Sequence, residues 1–115
     1  MVRYQGEDIL FNLELNKIAP DSVVDWNEFS KIIVYFYTQN SNIAKYSTDS
    51  ETGYLPLNRV DAAIIGGKIG RDDTKLMSGP LYMDIMAVAP NDVVNIKSIS
   101  TGVTIANSQI KQEIS

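Results

Sequence analysis

Any chemistry in this 115-residue sequence must run on carboxylates, hydroxyls and amines, because the chain contains no histidine and no cysteine. Ser–His and Cys–His nucleophilic pairs are therefore excluded within the chain. The same gap removes zinc, copper and haem sites built on imidazole or thiolate. A hard cation held by oxygens needs only carboxylates and carbonyls. Asp72 and Asp73, with Thr74, are the best cluster for one. They lack the D-x-D-x-D-G spacing that wraps a loop around calcium, so a structural turn is the preferred reading and no metal is expected.

Gly66-Gly67-Lys68-Ile69-Gly70 has the composition of a phosphate loop but not its pattern. A P-loop needs G-x-x-x-x-G-K-[ST] leading into a helix, so that backbone N–H groups converge on phosphate. Here Ile69 follows the lysine, and Asp61 or Ala62 stands where the first glycine belongs. A tight hairpin or bulge is expected instead. Fourteen acidic residues guarantee carboxylate pairs by chance, which empties the glycosidase signal. No enzyme and no cofactor are predicted.

Aromatic residues offer a second kind of chemistry, that of contact. Tyr35 and Tyr37 fall in the most apolar segment and are expected to pack in the core. Tyr4, Tyr46, Tyr54 and Tyr82 are expected to be exposed, and tyrosine is enriched at protein interfaces. A sugar-stacking platform is the competing use of such rings.

The elements that must position these residues are strands. In Asp8–Leu15, Ile9, Phe11, Leu13 and Leu15 alternate with Asp8, Leu10, Asn12 and Glu14, which predicts one buried and one wet face. Lys31–Thr38 is apolar on both faces, with Ile33, Tyr35 and Tyr37 opposite Ile32, Val34 and Phe36. Such a strand is central, or has one face covered by a partner. Leu81–Ala89 alternates in the same way. Shorter strands are predicted at Ile43–Tyr46, Tyr54–Leu57, Val60–Ile65, Lys68–Ile69, Val93–Ile99 and Val103–Ala106. Turn signals separate them at Ala19–Ser22, Gln39–Asn42, Gly66-Gly67, Ser78–Pro80 and Ala89–Asp92. Arg71–Lys75 is expected as an exposed hairpin tip. Asp25-Trp26-Asn27-Glu28-Phe29 fits a capping box on one helical turn, with Trp26 and Phe29 plugging one end of the fold. Short strands at this spacing, without a long helical pattern, predict an all-β antiparallel sandwich or barrel in a single domain, 1–115, with a polar tail at 108–115.

Composition narrows the partners. The chain is 44% hydrophobic, with a mean hydropathy of -0.08 and a net charge of -4. Its scattered basic residues argue against nucleic acid, and no apolar run approaches the roughly 20 residues that span a bilayer. Glu7 and Asp8 interrupt the start before a signal-peptide core could develop. The absence of cysteine suits a reducing cytoplasm. A protein-binding role follows, with Trp26, Phe29, Tyr4 and Tyr82 as anchor candidates and Arg71 and Lys75 as rim charges.

Several segments carry a family likeness. Tyr4-Gln5-Gly6-Glu7-Asp8-Ile9-Leu10-Phe11 leads through Trp26 to Ile32–Tyr37, and Met77–Met83 and Ser100–Ile105 complete the set. Together they resemble the immunoglobulin-like module at the N-terminus of phage baseplate upper proteins and related tailed-phage virion proteins. The resemblance implies an immunoglobulin-like sandwich and a virion location, after synthesis in the host cytoplasm. The chain ends soon after its last strand, without a receptor-binding arm. That departure implies an auxiliary capsid, or decoration, protein bound in many copies to capsid or tail proteins. A tail or baseplate adaptor and a module for host-surface glycans are the alternatives.

Overall fold

A computed structural model describes residues 1–14, 29–39, 43–50, 52–60, 64–88 and 94–108, apart from the side chain of Asn95. Among the described residues nine strands run in chain order: β1 (Val2–Tyr4), β2 (Ile9–Glu14), β3 (Lys31–Tyr37), β4 (Ala44–Ser47), β5 (Leu55–Pro56), β6 (Asn58–Arg59), β7 (Ile64–Ile69), β8 (Gly79–Val88) and β9 (Val94–Ala106). One helical turn, α1 (Arg71–Thr74), lies between β7 and β8.

The strands form two sheets, β1-β9-β8-β3-β4-β5 and β2-β7-β6. The two sheets make an immunoglobulin-like β-sandwich, with β4 and β5 added beside the central β3 and a three-stranded sheet opposite. Pairing is antiparallel except at the two edges of the larger sheet, where β1 runs parallel to β9 and β5 parallel to β4.

Alternation decides what each sheet buries. Ile32, Val34 and Phe36 of β3, and Leu81, Met83 and Ile85 of β8, point inward and are buried. From the smaller sheet Ile9, Ile65 and Ile69 meet them, and Phe11 packs at the margin. Phe11, Phe36 and Tyr46 form an aromatic cluster, with Phe11 4.7 Å from Phe36 and 5.3 Å from Tyr46 between ring centres. Such tilted and edge-on contacts suit the ring quadrupoles. Thr101 Oγ1 donates to the carbonyl of Leu81 at 2.8 Å, beside the irregular register between Pro80 and Tyr82.

Several expectations need correction. Gly66 and Gly67 do not make a turn; they lie inside β7, opposite Asn12 and Phe11. A Cβ on Gly67 would come within 2.8 Å of the Phe11 ring, so this glycine serves close approach, not chain reversal. The predicted strands Val60–Ile65 and Lys68–Ile69 are accordingly replaced by one strand, β7, with Val60 just after β6. Val93–Ile99 and Val103–Ala106 likewise join as β9, with Gly102 at a φ of 76° inside it. Ser78–Pro80 is not wholly a turn, since Gly79 and Pro80 already pair with β9.

Arg71–Lys75 is not a hairpin tip. It is the helical turn and crossover that carry the chain from the smaller sheet to the larger. Thr74 explains why it is held in place: its buried hydroxyl donates to the carbonyl of Glu7 at 2.7 Å and accepts from the N–H of Gly6. Gln5, also buried, donates to the carbonyl of Met77 at 2.7 Å. The strand β1 was not foreseen; Val2-Arg3-Tyr4 alternates, but three residues are too few for a periodic signal. The capping-box turn with Trp26, most of the turn signals at 19–22, 39–42 and 89–92, and the tail from 109 onward lie outside the described residues.

Candidate protein-docking face

The outward-pointing residues of the larger sheet are the best candidate for function. On β3 these are Ile33, Tyr35 and Tyr37, all half-buried. Register places Met86 beside Ile33, Asp84 beside Tyr35 and Tyr82 beside Tyr37. On the next strand Ile96 lies beside Met86, and Val94 beside Val88. Ile33, Met86, Val88, Val94 and Ile96 therefore adjoin one another across three strands. Ile96 is 71% exposed and Val94 is 51% exposed. A sheet face that keeps β-branched residues in water, across neighbouring strands, is the kind of patch that marks an interaction site.

The other half of this face is aromatic and polar. The Tyr37 and Tyr82 rings lie 6.0 Å apart between centres, and the Tyr37 hydroxyl donates to Asp84 at 2.9 Å. That hydrogen bond, together with burial, pushes the Tyr37 phenol above its ordinary pKa. Tyr35 and Tyr54 share a hydroxyl–hydroxyl hydrogen bond of 3.0 Å. The Lys45 ammonium sits 5.6 Å from the Tyr35 ring centre and 5.9 Å from that of Tyr54, within cation–π range. These contacts hold the side chains in fixed positions before any partner arrives, which lowers the ordering cost of binding.

The predicted anchors fall in different places. Tyr82 is on this face, and Tyr4 is 51% exposed on the outward side of β1. Phe29 packs against the core, so it is not a free anchor. Trp26 lies outside the described residues. Arg71 and Lys75 are at the crossover between the sheets, where Arg71 bonds Asp8 at 2.8 Å and Lys75 approaches Asp72 at 3.5 Å. They do not rim the face. Arg71 holds the Asp8 carboxyl below its ordinary pKa, chiefly through that side-chain hydrogen bond. Asp73 is shifted upward by burial and by Asp72.

Two tyrosine expectations are reversed. Tyr35 and Tyr37 belong to the outer face, not the core. Tyr46, expected outside, is 1% exposed and donates its hydroxyl to the carbonyl of Lys68. The exposed residues Val94 and Ile96, and the Lys45–Asp84 pair flanking Tyr35, were not singled out from the sequence. Strand register was the missing signal, because it alone puts them side by side.

Elsewhere, a cleft between β5 and β7 is lined by Leu10, Phe11, Tyr46, Pro56, Val60 and Lys68. Its phenol and one carbonyl already satisfy each other, and it gathers no acid–base pair. Among the described residues no group of three or more acidic side chains could hold a metal ion.

No family model matches the chain. It is similar to the Na(+)/H(+) antiporter NhaB of Vibrio campbellii (strain ATCC BAA-1116), with 29% identity over 93 residues. That alignment covers 81% of this chain and 16% of the antiporter. No described helix is long and apolar enough to cross a membrane.

Proposed function

We propose that this domain is non-enzymatic and works by covering a protein surface with the outer face of its larger sheet, as an auxiliary structural component of a tailed-phage particle. The observation that carries the binding role is the contiguous patch of Ile33, Met86, Val88, Val94 and Ile96 on β3, β8 and β9. The particle assignment is supported by the likeness of the Tyr4–Phe11, Ile32–Tyr37, Met77–Met83 and Ser100–Ile105 segments to immunoglobulin-like virion modules. Many copies bound to capsid or tail proteins would each contribute modest affinity, and the lattice would multiply it. A decoration protein is the primary reading and a tail or baseplate adaptor the second. The paired rings of Tyr37 and Tyr82 keep a glycan-binding role as the alternative of a different class. The similarity to the antiporter covers 16% of that protein, and sodium–proton exchange is not the function proposed here.

The test is to locate the domain in purified particles and to repeat the measurement with Ile96→Asp. Regular copies on the capsid shell that disappear with Ile96→Asp support the decoration reading. Copies confined to the tail favour the adaptor, and absence from particles overturns the assignment to a virion. Retention of the Ile96→Asp variant overturns the choice of face.

A further inference from the structure

We infer that the partner covering the outer face of the larger sheet is a second copy of this chain, related by a two-fold axis running along β3. The inference rests on the docking role proposed for that face and makes a second copy, not a capsid or tail protein, its occupant. The dimer then meets the particle through its other surfaces, and losing the dimer costs the lattice its bivalent grip. Its basis is the charge pattern around Tyr35. Register sets Lys45 of β4 on one side of Tyr35 and Asp84 of β8 on the other, in the same row across the sheet. Each neighbour lies about 5 Å from β3, the ordinary strand spacing.

A two-fold rotation about an axis along β3, in the plane between two facing sheets, exchanges the two sides of that row. Lys45 of each copy then stands over Asp84 of the other, giving two equivalent ion pairs around a central Tyr35–Tyr35 contact. Packed sheets sit about 10 Å apart, a gap that an extended lysine and an aspartate span together. An isologous interface must be self-complementary in this way.

The next row agrees. Tyr37 falls on the axis and meets its own symmetry mate. Continuing the β3–β4 register past Phe36–Ala44 puts the exposed Ile43 beside Tyr37, so that Ile43 of one copy covers Tyr82 of the other. Ile33 lies on the axis in the opposite direction. The row of Ile33 continues through Ser47 to the exposed Pro56 on β5, so the rotation brings Ile96 of one copy over Pro56 of the other. Lys31 is two rows from Tyr35 along β3. The crossing of about 30° between aligned sheets moves the two Lys31 side chains to opposite sides of the axis. One like-charge approach is thus relieved while the central row keeps its opposite charges.

The experiment is sedimentation velocity of the whole chain over a concentration series, with Lys45→Glu, Asp84→Lys, the double variant and Ile96→Asp. Circular dichroism checks that each variant is folded. The inference predicts a reversible monomer–dimer equilibrium, weakened about tenfold by either charge reversal. Adding Lys45→Glu to Asp84→Lys should recover most of the affinity that Asp84→Lys loses, which a merely structural role for Asp84 would not produce. A dimer indifferent to these changes, or a double variant no better than Asp84→Lys alone, overturns the inference. If the chain is monomeric throughout but Ile96→Asp still abolishes particle binding, the second copy is wrong and the docking face stands. If Ile96→Asp changes neither association nor particle binding, both fall.

Discussion

Tyr46, on β4 of the larger sheet, donates its hydroxyl to the backbone carbonyl of Lys68 on β7 of the smaller sheet at 2.7 Å. The bond crosses the sandwich where β6 no longer pairs with β7, since β6 reaches only Ile65 and Gly66. The phenol thus supplies a donor that strand pairing does not. Tyr46→Phe keeps the ring packed against Phe11 and Phe36 and removes only the hydroxyl. Urea unfolding should show a loss of about 1–2 kcal/mol.

The same phenol gives the protein an alkaline weakness. Burial pushes the Tyr46 pKa above its ordinary value of 10.0, with a smaller contribution from Asp73. Below pH 10 both folded and unfolded chains keep the proton, and the full contribution is present. As pH rises above 10 the unfolded chain releases it first, so stability falls toward the higher folded pKa. Unfolding free energies measured between pH 9 and pH 11 should decline less steeply for Tyr46→Phe than for the wild type. Parallel curves would show that another group governs the decline.

Gly67 and Gly70 should respond oppositely to one methyl group. At Gly67 a Cβ would press into the Phe11 ring, whereas at Gly70 nothing lies within 4 Å. Gly67→Ala is expected to cost about 1–3 kcal/mol as the aromatic cluster shifts. Gly70→Ala should stay within about 0.5 kcal/mol. Thermal melts of the two variants side by side make the comparison, and equal costs would contradict the close-approach role of Gly67.

Ile32 and Ile96 test the two faces of the larger sheet. Ile32 is fully buried and Ile96 mostly exposed. Ile32→Ala should destabilise the fold by about 2–5 kcal/mol. Ile96→Ala should change it by less than about 0.5 kcal/mol. Denaturant midpoints that reverse this order would place the core on the wrong side.

Asp8 and Arg71 join the β1–β2 turn to the crossover helix. Because the Asp8 pKa is lowered, the pair contributes stability above the unfolded carboxylate range, and that contribution is lost as pH falls through the lower folded value. In Arg71→Gln, the Asp8 titration followed by NMR should move upward. The unfolding curves of variant and wild type should converge in acid, where the carboxylate is protonated in both.

The extent to which the sequence revealed this molecule follows from which signals are local. Period-two alternation in Asp8–Leu15, Lys31–Thr38 and Leu81–Ala89 marked three strands, and in the first and third of them it also marked the buried face. The double apolar character of Ile32–Tyr37 pointed to a surface in need of cover. Gly66 and Gly67 misled, because a glycine admitted for close packing and one admitted for a turn look alike without the opposing Phe11. The tyrosines misled for a related reason. Whether Tyr35 or Tyr46 faces inward depends on the sheet that covers it, which no local window contains. Lys45 and Asp84 are 39 positions apart, and only their shared neighbour Tyr35 makes them a pair.

The parallel pairing of β1 with β9 joins Val2 to Thr104 and Tyr4 to Ala106. During synthesis, β1 leaves the ribosome with its partner strand still untranslated. The edge of the larger sheet cannot close until the chain has emerged through Ala106, and loop-closure entropy makes so distant a contact slow to form. Ribosome-bound chains truncated before Val94 should leave β1 accessible to protease, with protection arising only once β9 is complete.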